Sequence, residues 1–194
     1  MAIDTGLAID CTDLQATGGI KQILLRSWAA GDTIVYGSST HTITSIKDTG
    51  GTDADWGVYE FKNETPALTI NATKENGSTA FECGLSFTLP RMEVAKFNAI
   101  QDMLNACLMI IAVDTNDNAF VLGVSEKYRN ESVAERSQTF GQFASAEGGS
   151  GAAYSDENGV TISLMARQFE MPREYAPSAT RITVASTGLT ATTD

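Results

Sequence analysis

Chemistry in this sequence would have to run through very few side chains. The chain holds one histidine, His41, and three cysteines, Cys11, Cys83 and Cys107. A Ser-His-Asp or Cys-His arrangement needs an imidazole base, so it would have to use His41. That residue stands among Thr40, Thr42 and Thr44, which are ordinary strand residues, and no nucleophile–base pair is legible beside it. The cysteines are odd in number and far apart, with no CxxC spacing, so a structural zinc site is not expected. They read as reduced, Cys83 and Cys107 being small apolar residues at strand or helix-end positions.

Two acidic clusters deserve weighing. Asp114-Thr115-Asn116-Asp117-Asn118 opens like a calcium loop, but Ala119 stands where such a loop needs Gly, and Ser125 where it needs the bidentate Glu. It lies between two apolar runs, where Asp and Asn are good turn residues, so a hairpin is expected there rather than a metal site. Asp156-Glu157-Asn158-Gly159 reads the same way. Gly-rich stretches at 18–19, 50–51 and 148–151 lack the Gly-Lys-Ser/Thr of a phosphate loop and the dinucleotide fingerprint. The remaining carboxylates are scattered, and a paired-carboxylate glycosidase site has little support from so few aromatics. The expectation is no catalytic residue, no cofactor and no metal.

The elements that would position any site are mostly strands. The chain has 194 residues, a 42% apolar share and 17 glycines, which suits one globular domain without staples. Net charge is −11. That disfavours a phosphate-clamping nucleic-acid binder and favours solubility. The opening MAIDTGLAIDCTDLQ is acidic and broken, unlike a signal peptide, and no run is long enough to span a membrane. The chain is therefore expected to be made in a host cytoplasm, without membrane insertion. The four sequons, at Asn63, Asn71, Asn76 and Asn130, then reflect a Thr/Ser/Asn-rich composition.

Strands are expected over Ile20–Trp28, Thr33–Tyr36, His41–Ile46, Trp56–Phe61 and Leu68–Thr73. Asn76-Gly77 is a strong hairpin turn. Phe81, Cys83, Leu85, Phe87 and Leu89 then alternate strictly, the clearest strand of the chain. Residues 92–105 form the one expected helix, with Phe97, Ile100 and Leu104 on one stripe flanked by Val94 and Met103, to be packed on a sheet. Glu93 is expected in its first turn. Leu108–Val113 is a continuous apolar run, hence a central strand, with Ala119–Val124 as its partner. Residues 125–150 read as a long polar loop, Val160–Ala166 as a last strand, and Pro172 and Pro177 as the close of the folded part. The expected organisation is an N-terminal arm over 1–16, a domain over 17–175 and a flexible C-terminal tail over 176–194.

The order of these features resembles the structural proteins of tailed bacteriophages, most of all the tail tube (major tail protein) family. The resemblance lies in FECGLSFTLPR, one helix, the hairpin LMIIAVDTNDNAFVLGV, a polar loop ending in GGSGAAYSDENG, and VTISLMARQ. It covers roughly residues 17–172 and contains no invariant signature. It implies a mainly-β fold, a β-sandwich or barrel with one flanking α-helix. It also implies a non-enzymatic virion subunit that self-assembles into hexameric rings, stacked as a hollow tube. The partners would be further copies, other virion tail proteins, and DNA passing non-specifically through an acidic lumen. Within the long loop, Tyr128, Arg129, Glu131, Arg136, Phe140 and Phe143 are the candidate subunit or ring contacts. Competing readings are a head–tail connector or tail terminator, a β-sandwich binding module for carbohydrate or a cell-surface partner, and a small hydrolase.

Overall fold

A computed structural model of the chain describes residues 18–38, 41–59, 61–62, 64–128, 139–153, 158–176, 181–182 and 191–192. The expected arm over residues 1–16 lies outside them.

The alternating segments become strands because each buries one face. They are β1 (Ile20–Ser27), β2 (Thr33–Tyr36), β3 (Thr42–Lys47), β4 (Gly57–Tyr59), β5 (Ala67–Glu75) and β6 (Ser78–Pro90). The helix α1 (Val94–Leu104) follows, then β7 (Leu108–Asp114), β8 (Ala119–Leu122), β9 (Gln142–Gly149), β10 (Gly159–Gln168) and β11 (Arg173–Tyr175). Two-residue strands β12 (Arg181–Ile182) and β13 (Ala191–Thr192) pair with each other inside the expected flexible tail.

The protein is mainly β, with one α-helix among the described residues. One sheet has the order β2-β3-β11-β8-β7-β1-β4, and the other β5-β6-β10-β9. They face each other across one core. Ile23, Leu25, Ile110 and Leu122 come from the first sheet, and Cys83, Leu85, Phe87, Ile162 and Leu164 from the second. Full burial of a side chain such as Phe87 contributes about 3 kcal/mol. The strict alternation of β6 is therefore what fixes its register against β10, Phe87 opposite Ile162 and Leu85 opposite Leu164.

The unbroken apolar run in β7 has a direct cause. Leu108, Ile110 and Ala112 face the core between the sheets. Met109, Ile111 and Val113 face a second cluster with Leu24, Ile43, Ile46, Trp56 and Tyr175. Strands β2, β3, β8 and β11 supply that second cluster, so the larger sheet rolls around it. A bidentate pair from Arg26 to the fully buried Asp32 (Nη2–Oδ1 2.9 Å) holds the turn into β2. The same carboxylate also accepts from the Ala29 amide at 3.0 Å. Asn76 and Gly77 turn the β5–β6 hairpin with φ of 50° and 83°, as the dipeptide predicts.

Two expectations are corrected. Residues 125–150 are not one loop, because Gln142–Gly149 forms β9 along β10. Its only half-buried side chain is Phe143, so no apolar alternation announces it. Nor was a strand expected between Pro172 and Pro177, where β11 forms. Arg173–Tyr175 runs parallel to β3 and antiparallel to β8, between the two. Arg173 is buried beside Glu126 and Glu170, with its guanidinium 5.2 Å from the Tyr36 ring centre. A three-residue strand directly after a proline carries too little pattern to read as one; its neighbours make it one.

Candidate assembly surfaces

The most open part of the described structure is the four-stranded sheet. Its two edge strands are long, nine residues in β5 and eight in β9, and every residue of β9 but Phe143 is exposed. Each edge presents a row of backbone N–H and C=O groups to which another strand could pair. All three pairings within the sheet are antiparallel. Four alternating strands leave β5 and β9 running in opposite directions. The β9 edge of one copy can therefore receive the β5 edge of the next, and the antiparallel alternation continues unbroken.

The two edges are also offset along the sheet. β5 lies opposite β6 from Ser78 to Ser86. β9, read through β10, is level with β6 from Gly84 to Pro90. Pairing β9 along its length with a second β5 would stagger the register from copy to copy. Stagger of this kind is what strand tilt in a closed barrel requires.

The face of this sheet that points away from the core is lined by small polar side chains. Thr69, Asn71, Ser86, Ser145, Thr161 and Ser163 share it by register. Its charges are Glu147 and the exposed pair Glu82–Arg167, 2.9 Å apart. Thr88 and Thr161 bond hydroxyl to hydroxyl at 2.9 Å.

The helix departs from its expected packing. Met103 is buried and Ile100 partly so, against the core between the sheets. Val94 is 74% exposed, Phe97 43% and Leu104 46%. Glu93 is the N-cap residue, just outside the first turn, and pairs with Arg91. At 100° per residue, the apolar residues Met103, Ile100, Leu104, Phe97 and Val94 cover ~180° of the helix, more than one sheet contact hides. That excess width is the sign, in the sequence, of a second face left uncovered.

The residues expected to make contacts fare unevenly. Arg129, Glu131 and Arg136 lie outside the described residues, and of Tyr128 only the backbone is described, at the end of a short 3-10 turn. Phe140, expected as a contact, is 3% exposed with its ring stacked on Trp28, so in this chain it is an interior residue. Phe143 is half-buried against the core. The structure brings those two aromatics inward and leaves open instead the β5 and β9 edges and one flank of α1.

The chemical candidates have structural partners. The His41 Nε2 lies 2.8 Å from the Met171 carbonyl. The Asp114 carboxylate accepts from the amides of Asn116 and Asn118, at 2.9 and 2.8 Å, and so shapes the β7–β8 hairpin. Burial pushes its pKa up, but hydrogen bonds from Asn118 and Asn116 outweigh that and hold it below the usual carboxylate range. Among the described residues, no three His, Cys, Asp or Glu side chains gather as metal ligands would. No described helix is long and apolar enough to cross a membrane. Neither a family model nor a curated protein matches the chain.

Proposed function

We propose that this chain is a structural subunit of a phage tail tube, without catalytic activity, that self-assembles into stacked hexameric rings forming a channel for genome delivery. The observation that carries the reading is the pair of long open edges, β5 and β9, on one antiparallel sheet. They are different strands running in opposite directions. Joining them is thus a heterologous, head-to-tail contact, and such contacts either close a ring or run on as a filament. Closure removes every exposed edge of the sheet, which a lone subunit leaves open. The stagger between the edges favours a tilted, closed barrel over a flat ribbon. The hexameric count and the virion location come from the resemblance of the chain's feature order to tail tube proteins.

In such a ring the small hydroxyl-lined face of the sheet lines the channel. Among the side chains described there it carries Glu82, Glu147 and Arg167, two carboxylates for each cation. DNA is held by cationic side chains that displace its counterions. A lining with one cation, already paired to Glu82, offers phosphates almost no purchase, and DNA slides past.

Negative-stain electron microscopy of the purified chain at rising concentration tests the reading. Six-fold rings, or hollow tubes built from them, are expected. A persistent monomer at high concentration overturns the reading. Rings that never stack move it to a connector or terminator role.

A further inference from the structure

The exposed flank of α1 and the open edge of β9 lie side by side. α1 begins just after Pro90, which is level with Gly159 and Gly149, and ends just before Leu108, which bridges Gly141. It therefore runs alongside β9 in the opposite direction, and the two elements touch. It stands on the core side of that strand, because Ile100 and Phe143 pack on the same interior cluster. Ala99, Asp102 and Met103 line a small cleft towards β1 and Tyr59. Phe97 and Leu104 fall on the other flank, next to Ile100, on the side of β9. Ala146 and Gly148, whose register points them to the core side of β9, are nonetheless exposed. The exposed core side of β9 and the exposed Phe97 and Leu104 thus lie on neighbouring elements, and the space between them is termed the trough.

The opposite edge of the same sheet carries the matching feature. Leu68 and Ile70 point to the core side of β5; Leu68 packs on the core of its own chain, whereas Ile70 is 36% exposed. Core side meets core side when one antiparallel sheet continues into the next, because the pleat is shared. A strand added to β9 would therefore carry its core-side residues beneath α1.

We propose that the trough between α1 and β9 receives Ile70 from the β5 edge of a second copy, with Phe97 and Leu104 closing over it. This rests on the edge-to-edge reading above and adds the side-chain contact that selects the partner. Backbone pairing alone accepts any strand, whereas apolar side chains in a pocket beside the edge give specificity. The contact also accounts for two of the three large apolar side chains that the helix exposes.

The test uses full-length chains with Cys11→Ser and Cys107→Ser, which leaves the buried Cys83 as the one native thiol. One chain carries Ile70→Cys with Phe97→Cys, a second Ile70→Cys with Leu104→Cys, and an edge control Thr69→Cys with Ser145→Cys. Mild oxidation of assembled material is followed by denaturing electrophoresis. A covalent ladder from either helix pair, together with a ladder from the control, supports the proposal. A ladder from the control alone overturns it and leaves the ring reading standing. Assembly with neither ladder overturns both the contact and the edge pairing, and failure of the unmodified chain to assemble overturns the whole reading. As a second measurement, Phe97→Glu alters an exposed side chain and should keep the urea midpoint of the monomer. It should raise the concentration needed for assembly by about tenfold or more, as loss of one apolar anchor implies. Unchanged assembly would count against the contact.

Discussion

The rings of Trp28 and Phe140 stack with centroids 5.4 Å apart and planes inclined by 30°. Trp28 ends the stretch after β1, and Phe140 stands two residues before β9, so the contact ties an edge strand of one sheet to the body of the other. Phe140 is almost wholly buried. Phe140→Ala should lower unfolding free energy by about 3–4 kcal/mol, the cost of a cavity and of lost apolar burial. Urea denaturation of the monomer measures it. A loss below about 1 kcal/mol would mean that the ring is a surface contact after all.

Gly123 has φ of 85°, and a Cβ there would come within 2.6 Å of both the Gly141 nitrogen and the Leu108 oxygen. Those two atoms form one backbone hydrogen bond, Gly141 N–H to Leu108 O, which brackets the start of β9. Gly123→Ala should cost more than about 2 kcal/mol, since neither backbone can yield without breaking that bond. Gly77→Ala is the control. Its φ is 83°, yet nothing lies within 4 Å of the added carbon, so only dihedral strain of about 1 kcal/mol is expected. Similar losses in the two variants would remove the steric argument.

The Asp114 carboxyl is held below its ordinary range in the folded chain. A depressed folded pKa stabilises the fold above the unfolded value, about 3.9, and that contribution is lost as pH falls through the folded pKa. Hydrogen exchange of the 114–118 turn should therefore be slow, after correction for intrinsic rates, near about pH 5 and should rise as acid is added. Asp114→Ala should show fast exchange at both ends of the titration. Protection that is indifferent to acid in the native chain would exclude the carboxylate as the group that holds the turn.

Burial pushes the Cys83 thiol up to about 11, whereas Cys107 is exposed just beyond α1. A thiolate is the reactive species, so Cys83 should resist maleimide near neutral pH until the chain unfolds. Cys107 should label at once. Peptide mapping of labelled native protein checks this, and rapid modification of Cys83 would contradict its place in the core.

Much of the fold was legible in the sequence because burial on one or two faces leaves a periodic trace. The two-residue alternation of β6 specified both the strand and its inward side. The unbroken run in β7 announced a strand covered on both faces, and Asn76-Gly77 marked the β5–β6 hairpin. β9 left no such trace. A strand whose inner face waits uncovered has no reason to alternate, and its Ala, Ser and Gly residues read as a loop. β11 was hidden between two prolines for a similar reason: its three residues are held by β3 and β8, which lie far away in the chain.

The candidate site divides along the same line. The sequence by itself determined the composition of the sheets, the scarcity of groups suited to acid–base or metal chemistry, and an apolar helix face wider than one contact needs. Those are local properties, carried by residue type and spacing. Only the tertiary structure decided that Phe140 turns inward onto Trp28, that β5 and β9 are left as opposite, offset edges, and that Phe97 and Leu104 stay exposed on α1. Which edge stays unpaired depends on how the strands are ordered in the sheet. Strand order is set by contacts between distant segments, to which local periodicity is blind.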